Sequence, residues 1–411
     1  MVIASWSMVE RSDRTEGLGG EELEEAVDEL EKELTEKAAH PLELFFDLVF
    51  VFAITQVVSL VVHDLTAAGV LRGTLLLALM WWAWTNWTWT TNVVDLEPRI
   101  RRVAVLVSML GVFGMAFAVP TAFGGDGLWL ALGYLWVRLI PAAVFVHGAR
   151  HDPAELRAVL RYLPISLAAT VVVVIGGAVG GEALQWIWVA ALCMELLAAA
   201  SSGQADWKID AGHFAERHGL ILIIALGEGI IAVGIALAGV SIDTSLALLL
   251  AVGLAGVCAL WWAYFDRLQE VMESALRLAD EHETGHIARD VYSLLHYPMI
   301  AGIVFYAVAL EEAFLHPDDP MEGVVAVLFV VALALYLLAQ AVAVWRCWRT
   351  YLYERVVGVA VIGLLVAAWD GAAKDVVLAS TIVLIVTMSA EYVRFRARIR
   401  GDVPDPQTQR A

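Results

Sequence analysis

Apolar residues run along this chain in stretches of about twenty, broken by Pro, Gly and clusters of charge. A helix rises about 1.5 Å per residue, so each stretch matches a hydrocarbon core of roughly 30 Å, which a chain crosses only by hydrogen-bonding its own backbone. The pattern predicts spans at about 42 to 63, 70 to 90, 100 to 122, 127 to 148, 160 to 180 and 183 to 201. A second set follows at about 214 to 239, 244 to 266, 292 to 314, 322 to 345, 353 to 371 and 374 to 393, which makes about twelve in all. With both termini cytoplasmic, all of the 26 Lys and Arg except Arg72, Arg138 and Lys374 fall in segments assigned to the cytoplasm. That bias is what the positive-inside rule asks of short loops.

The two sets of spans echo each other. His40 to Thr55, HPLELFFDLVFVFAIT, lines up with His213 to Glu228, HFAERHGLILIIALGE, placing His40 on His213 and Glu43 on Glu216. Trp81 to Asn86, WWAWTN, lines up with Trp261 to Asp266, WWAYFD, and LGVFGMAFAV at Leu110 to Val119 more weakly echoes AGIVFYAVAL at Ala301 to Leu310. Six spans per unit is an even number, so both halves enter in the same direction, as repeats about an axis along the membrane normal. The expected class is an all-α integral membrane protein of about twelve transmembrane helices in two parallel six-helix repeats. Its expected parts are an acidic cytoplasmic leader over 1–40, a first repeat over 41–205, a second over 206–396 and a basic tail over 397–411.

Composition agrees. Of 411 residues, 60% are hydrophobic and 17% charged, where a soluble domain is nearer half and a quarter, so many lipid-facing segments are required. The net charge of -19 argues against nucleic acid, whose phosphates it would repel. Much of it lies in the leader, where Glu21 to Lys37 carries Leu23, Val27, Leu30 and Leu34 at the spacing of a short amphipathic helix. The leader has no apolar core of a signal peptide, which leaves targeting to the first span. Cys193, Cys258 and Cys347 show no paired spacing, so neither a disulfide framework nor a zinc knuckle is expected, and no cofactor is called for.

The same blocks carry a family resemblance. ELFFDLVFVFAITQ (Glu43 to Gln56), HFAERHGLILIIALGEGIIAVG (His213 to Gly234), LWWAYFD (Leu260 to Asp266) and HYPMIAGIVFYAVALE (His296 to Glu311) resemble the bacterial low-temperature-requirement A family, from Pro41 to the last helix. The resemblance implies a multi-pass protein of the cytoplasmic membrane and leaves the mechanism to the residues.

Ionisable residues inside spans are functional candidates by default. Arg138, Glu195 and Glu228 fall near mid-membrane, with Arg138 expected to pair with Glu228 and Glu195 as its competing partner; the plain alternative is a salt bridge that fixes packing. Glu228 stands between Gly227 and Gly229, with Gly234 and Gly239 beyond, so either the helix unwinds into a cation or substrate site or the glycines serve close packing. Glu43, Asp47 and Glu216 lie toward the cytoplasmic ends of their spans, as a vestibule for a proton or cation or as helix caps. Asn86 and Asp266 close helices on that side.

Trp81 to Trp89 reads as an aromatic belt, with a substrate cage as the alternative. His296, opening a span, reads as a proton relay or an interfacial histidine, and Glu311 and Glu312 as solvent-exposed. His282, Glu283 and His286 fit H-E-x-x-H in a loop, with His296 or Asp290 as a third zinc ligand, though Gly285 inside the motif favours a solvated loop.

The leading expectation is a secondary transporter or ion-coupled carrier, acting on a small solute or a cation or proton, with its site between the halves around Glu228, Arg138 and Glu195. The alternatives are a membrane-embedded, metal-dependent enzyme using the HETGH motif or the Glu43/Asp47 face, and a sensor or scaffold acting through the leader. The bilayer is the sure partner; a homo-oligomer is compatible. No Walker A pattern provides for ATP.

Overall fold

The computed structural model describes residues 41–93, 98–150, 153–202, 209–238 and 244–399, and everything below concerns these. The acidic leader, with the amphipathic helix expected over Glu21 to Lys37, lies outside them. The described residues are helical apart from turns and one isolated bridge between Pro320 and Ala372.

In chain order the α-helices are α1 (Pro41–His63), α2 (Ala67–Val93), α3 (Pro98–Ala118), α4 (Gly127–Ala149), α5 (Pro153–Val179), α6 (Gly181–Ser202) and α7 (Ala211–Ala236). They continue with α8 (Thr244–Phe265), α9 (Leu268–Leu278), α10 (Glu281–Ile287), α11 (His296–Leu315), α12 (Gly323–Trp348), α13 (Tyr353–Ala368) and α14 (Ala373–Ile399). Ten segments among the described residues are long and apolar enough to cross a membrane. One of them, Arg99–Ala149, is 51 residues long and doubles back at Val119–Asp126, where Gly125 takes φ 143°. The two limbs, α3 and α4, pack side by side so closely that a Cβ on Gly133 would stand 2.9 Å from the Gly111 carbonyl. Glycine at both positions permits that approach.

The innermost helix is α11, whose residues Ala301 to Leu310 are all buried. It lies against α7, α12, α1 and α2. Gly302 lets it close on α12, since a Cβ there would meet the Ala332 carbonyl at 2.6 Å. At the periphery, Leu110, Phe117, Trp129, Leu364 and Val393 are exposed, as lipid-facing side chains are.

One open alternative is decided and two local expectations are corrected. α7 runs unbroken through Gly227, Gly229 and Gly234, and Gly229 instead lets Val257 of α8 approach, to 2.8 Å from where a Cβ would lie. Trp81, Trp82, Trp84 and Trp87 are buried inside the bundle rather than ranged along an interface, and the indoles of Trp81 and Trp89 donate to Ser293 Oγ or its carbonyl. HETGH is not a loop: α10 passes through a π-helical turn, Ala288–Leu295, directly into α11, so His296 opens no span and is fully enclosed.

Candidate functional site

The buried charge collects in three places. The first is the seam between α1 and α7. Glu43 and Asp47 share one face of α1, spaced by one turn, and His213 and Arg217 share one face of α7 at the same spacing. Glu43 Oε2 lies 3.0 Å from His213 Nε2 and Asp47 Oδ1 lies 2.7 Å from Arg217 Nη2, while Arg217 Nη1 stands 3.5 Å from Glu43. Each pair is separated by 170 residues, so α1 and α7 run alongside in the same direction. Asn92 Nδ2 donates to His213 Nδ1, which leaves the Nε2 proton to face Glu43. The Trp84 indole donates to Asp47 Oδ1 at 2.8 Å, and the Arg217 guanidinium stands 5.8 Å from that ring centre. Asp47 Oδ2 and Arg217 Nε have no hydrogen-bond partner among the described residues.

Farther along the seam, Thr55 of α1 donates to Glu228 Oε1 at 2.6 Å. Glu311 of α11 is near enough for its charge to act on Glu228, and His63, exposed at the end of α1, acts in turn on Glu311. Asp47 and Thr55 are about 12 Å apart along the helix. Over that interval the buried residues of α1 are Phe50, Ala53 and Ile54, and those of α7 beyond His218, which is itself buried beside Arg217, are Gly219, Ile221, Leu222, Ala225 and Leu226, all apolar. Two polar clusters are thus separated by a dry stretch.

The second place lies within the first six helices. Arg138 of α4 donates to Glu195 of α6 at 2.7 Å, to Ser166 of α5 and to the Trp82 carbonyl of α2 at 2.9 Å, while Ser166 donates to Glu195 at 3.0 Å. Tyr162 and Tyr134 complete the shell. The third lies in the later helices. Arg355 of α13 grips Glu391 of α14 with two bonds, at 2.7 and 3.0 Å, and also donates to Gln340 of α12 and to the Ala263 carbonyl of α8 at 2.9 Å.

These positions revise the sequence expectations. Arg138 pairs with Glu195 and not with Glu228, because α4 and α6 both face α5 whereas Glu228 faces α1. Glu43 and Asp47 are inward acids with partners across the seam. Glu216 is half-buried on α7. Asn86 is buried with Oδ1 lacking a partner among the described residues, and Asp266 is half-exposed beside Arg267 at 3.4 Å. His296 Nε2 accepts from the Tyr264 hydroxyl at 2.8 Å, and its ring stacks on Tyr292. Glu311 is buried rather than solvated. Glu283 and Asp290 are both held by Arg346, at 2.7 and 2.9 Å, and no group of three His, Cys, Asp or Glu among the described residues could hold a metal ion.

Sequence reading missed Arg217 and Arg355 by counting them as loop charges; both are buried within helices. The available signal for Arg217 was its i, i+4 spacing from His213, which complements the i, i+4 spacing of Glu43 and Asp47.

The family described as bacterial low temperature requirement A protein (LtrA) matches residues 38–390. An uncharacterized protein of Rhizobium meliloti (strain 1021) is 30% identical over 302 residues, covering 70% of this chain and 73% of its own length. No solved structure matches.

Proposed function

The chain belongs to the bacterial low-temperature-requirement A family of multi-pass membrane proteins, and on that footing we propose that it is a secondary carrier of the cytoplasmic membrane, driven by protons or a cation, whose path follows the α1–α7 seam. One observation carries this reading: the buried acids Glu43, Asp47 and Glu228 are each bonded across the seam, by His213, Arg217 and Thr55. Charge kept in lipid is costly, and charge kept at a joint between two bodies is what a rocking carrier uses.

The two bodies are the six-helix repeats. The neighbours of α1, which are α2 and α3, correspond to the neighbours α8 and α11 of α7. Arg138, Ser166, Glu195 and the Trp82 carbonyl sit on the fourth, fifth, sixth and second helices of the first half. Gln340, Arg355, Glu391 and the Ala263 carbonyl sit on those same helices of the second, with the arginine moved from the fourth helix to the fifth. Counting the doubled-back Arg99–Ala149 as two crossings and adding α13 gives twelve, with both termini inside. In this reading the two arginine networks are clasps that keep each half rigid, and Arg138 and Glu195 do not touch the transported solute.

Glu228 is the coupling residue. A proton or cation arriving past His63 and Glu311 neutralises it and displaces the Thr55 bond, which frees the halves to shift about the dry stretch toward the Asp47 end. Glu228→Gln, in proteoliposomes under an imposed pH or sodium gradient and a panel of small solutes, is expected to abolish solute-dependent ion movement with unchanged thermal unfolding. Full activity of that variant would overturn the proposal.

A further inference from the structure

Where α8 ends and α9 begins, a cavity of about 500 Å3 opens among α8, α9, α12 and α14, within the size range of small-ligand sites. Its polar wall carries Asp266, Arg267 and the Arg355–Glu391 clasp. The clasp is internally neutral, since Glu391 takes both of its bonds from Arg355. Asp266 and Arg267 are different: their contact is long, at 3.4 Å, and the side chains are 29% and 37% exposed, so each can turn to a visitor. The Arg267 guanidinium is steadied over the Tyr392 ring, 4.5 Å from its centre.

A second cavity of about 480 Å3 continues from the first along the lipid-facing cleft between α8 and α14. Trp262, Met388 and Tyr392 line both. Beyond them its walls are almost wholly apolar, with Ala255, Cys258 and Ile385. One end of the combined groove therefore offers a cation and an anion side by side, and the other offers an apolar trough. Beside Tyr162 of the Arg138 network, the pocket lined by Trp82, Asn86, Tyr162 and Arg289 encloses only about 50 Å3. It is too small for such a visitor.

We propose that this groove binds one membrane phospholipid with a phosphoethanolamine headgroup, its phosphate on Arg267, its ammonium on Asp266 and an acyl chain in the trough between α8 and α14. The adjacent opposite charges select a zwitterion with a primary amine over a purely anionic headgroup, and the shared walls select a lipid over a soluble phosphate ester. The site does not depend on the carrier reading.

The test is native mass spectrometry of the full chain, extracted in mild detergent and challenged with defined lipids. Wild type is expected to retain one phosphatidylethanolamine per chain, with at least tenfold weaker retention of phosphatidylglycerol and phosphatidylcholine. Asp266→Ala is expected to lose the preference for phosphatidylethanolamine. Cys258→Phe, which fills the exposed trough without altering charge, is expected to lose retention altogether while unfolding at the wild-type temperature. Equal retention of phosphatidylglycerol by wild type, undiminished retention by Cys258→Phe, or binding of soluble glycerophosphoethanolamine as tight as that of the lipid would each overturn the proposal. If Asp266→Ala does not fold, the headgroup series on wild type and the trough variant decide it.

Discussion

Arg217 reaches Asp47 from one helix to another at 2.7 Å, with both side chains 1% exposed. One turn away His213 meets Glu43, so α1 and α7 meet through a two-rung ladder with both acids on α1 and both basic groups on α7. Such a ladder is favourable only as a set, because a lone charge in that position has no water to turn to.

Arg217→Ala is accordingly expected to destabilise the protein by about 3–5 kcal/mol, the cost of stranding a buried charge. The double variant Asp47→Leu with Arg217→Met removes both charges and is expected to recover most of that loss. Thermal unfolding followed by tryptophan fluorescence checks both. Wild-type stability in Arg217→Ala would mean that water reaches the seam.

The two clasps make a sharper comparison. Arg138→Gln alone strands Glu195 and is expected to cost about 3–5 kcal/mol. Adding Ser166→Arg recreates in the first half the arrangement of Gln340 and Arg355 in the second. The double variant is expected to be more stable than Arg138→Gln by at least about 1.5 kcal/mol, the lower end for a hydrogen bond to a charged group. No recovery would count against the equivalence of the halves.

Thr55→Val removes the donor on Glu228 without altering charge. A hydrogen bond to a charged group contributes about 1.5–3 kcal/mol, and the variant is expected to slow coupled flux in proteoliposomes severalfold while leaving some activity. Glu228→Asp, which keeps the carboxylate but withdraws it by one methylene, is expected to do the same.

Gly302→Ala would press a methyl group to 2.6 Å from the Ala332 carbonyl. Backbone cannot yield as a side chain can, so a loss of about 1–3 kcal/mol is expected. Gly114→Ala, where a Cβ meets nothing within 4 Å, serves as the neutral control in the same unfolding assay.

Chelation is expected to leave the unfolding temperature unchanged. Glu283 is bound to Arg346 and is 43% exposed, so Glu283→Ala is expected to cost no more than about 1 kcal/mol, the scale of a surface ion pair. Stoichiometric zinc in purified protein, lost on His282→Ala, would contradict this.

The helical membrane class was legible because hydrophobic length is a direct record of bilayer thickness; twelve of the fourteen α-helices described fall on the expected spans, while α9 and α10 lie between two of them. The inward turn of Glu43 and Asp47 was legible for a similar reason: lipid does not accept acids. What could not be read was which partner each charge meets. Arg138 was matched to Glu228 by depth alone, and depth does not say which face of a helix a residue occupies or which neighbour that face meets. Arg217 and Arg355 stood near span ends and were counted with the loops, since positive charge there satisfies the topology rule whether it faces water or a buried carboxylate. The tryptophans of α2 misled in the same way, because an indole suits an interface and a core equally well and only its hydrogen-bond partner distinguishes them.

α13 has 16 residues, which cover about 24 Å. On the twelve-span reading it is some 6 Å shorter than the roughly 30 Å of hydrocarbon beside it, a mismatch that costs fractions of a kcal/mol per ångström. On that reading the bilayer beside α13 must thin to meet it, and an influence that thickens the bilayer, including cooling of its acyl chains, would pull on Arg355 and through it on Glu391, Gln340 and the end of α8. The Arg355 network would in this respect register the thickness of the membrane beside it.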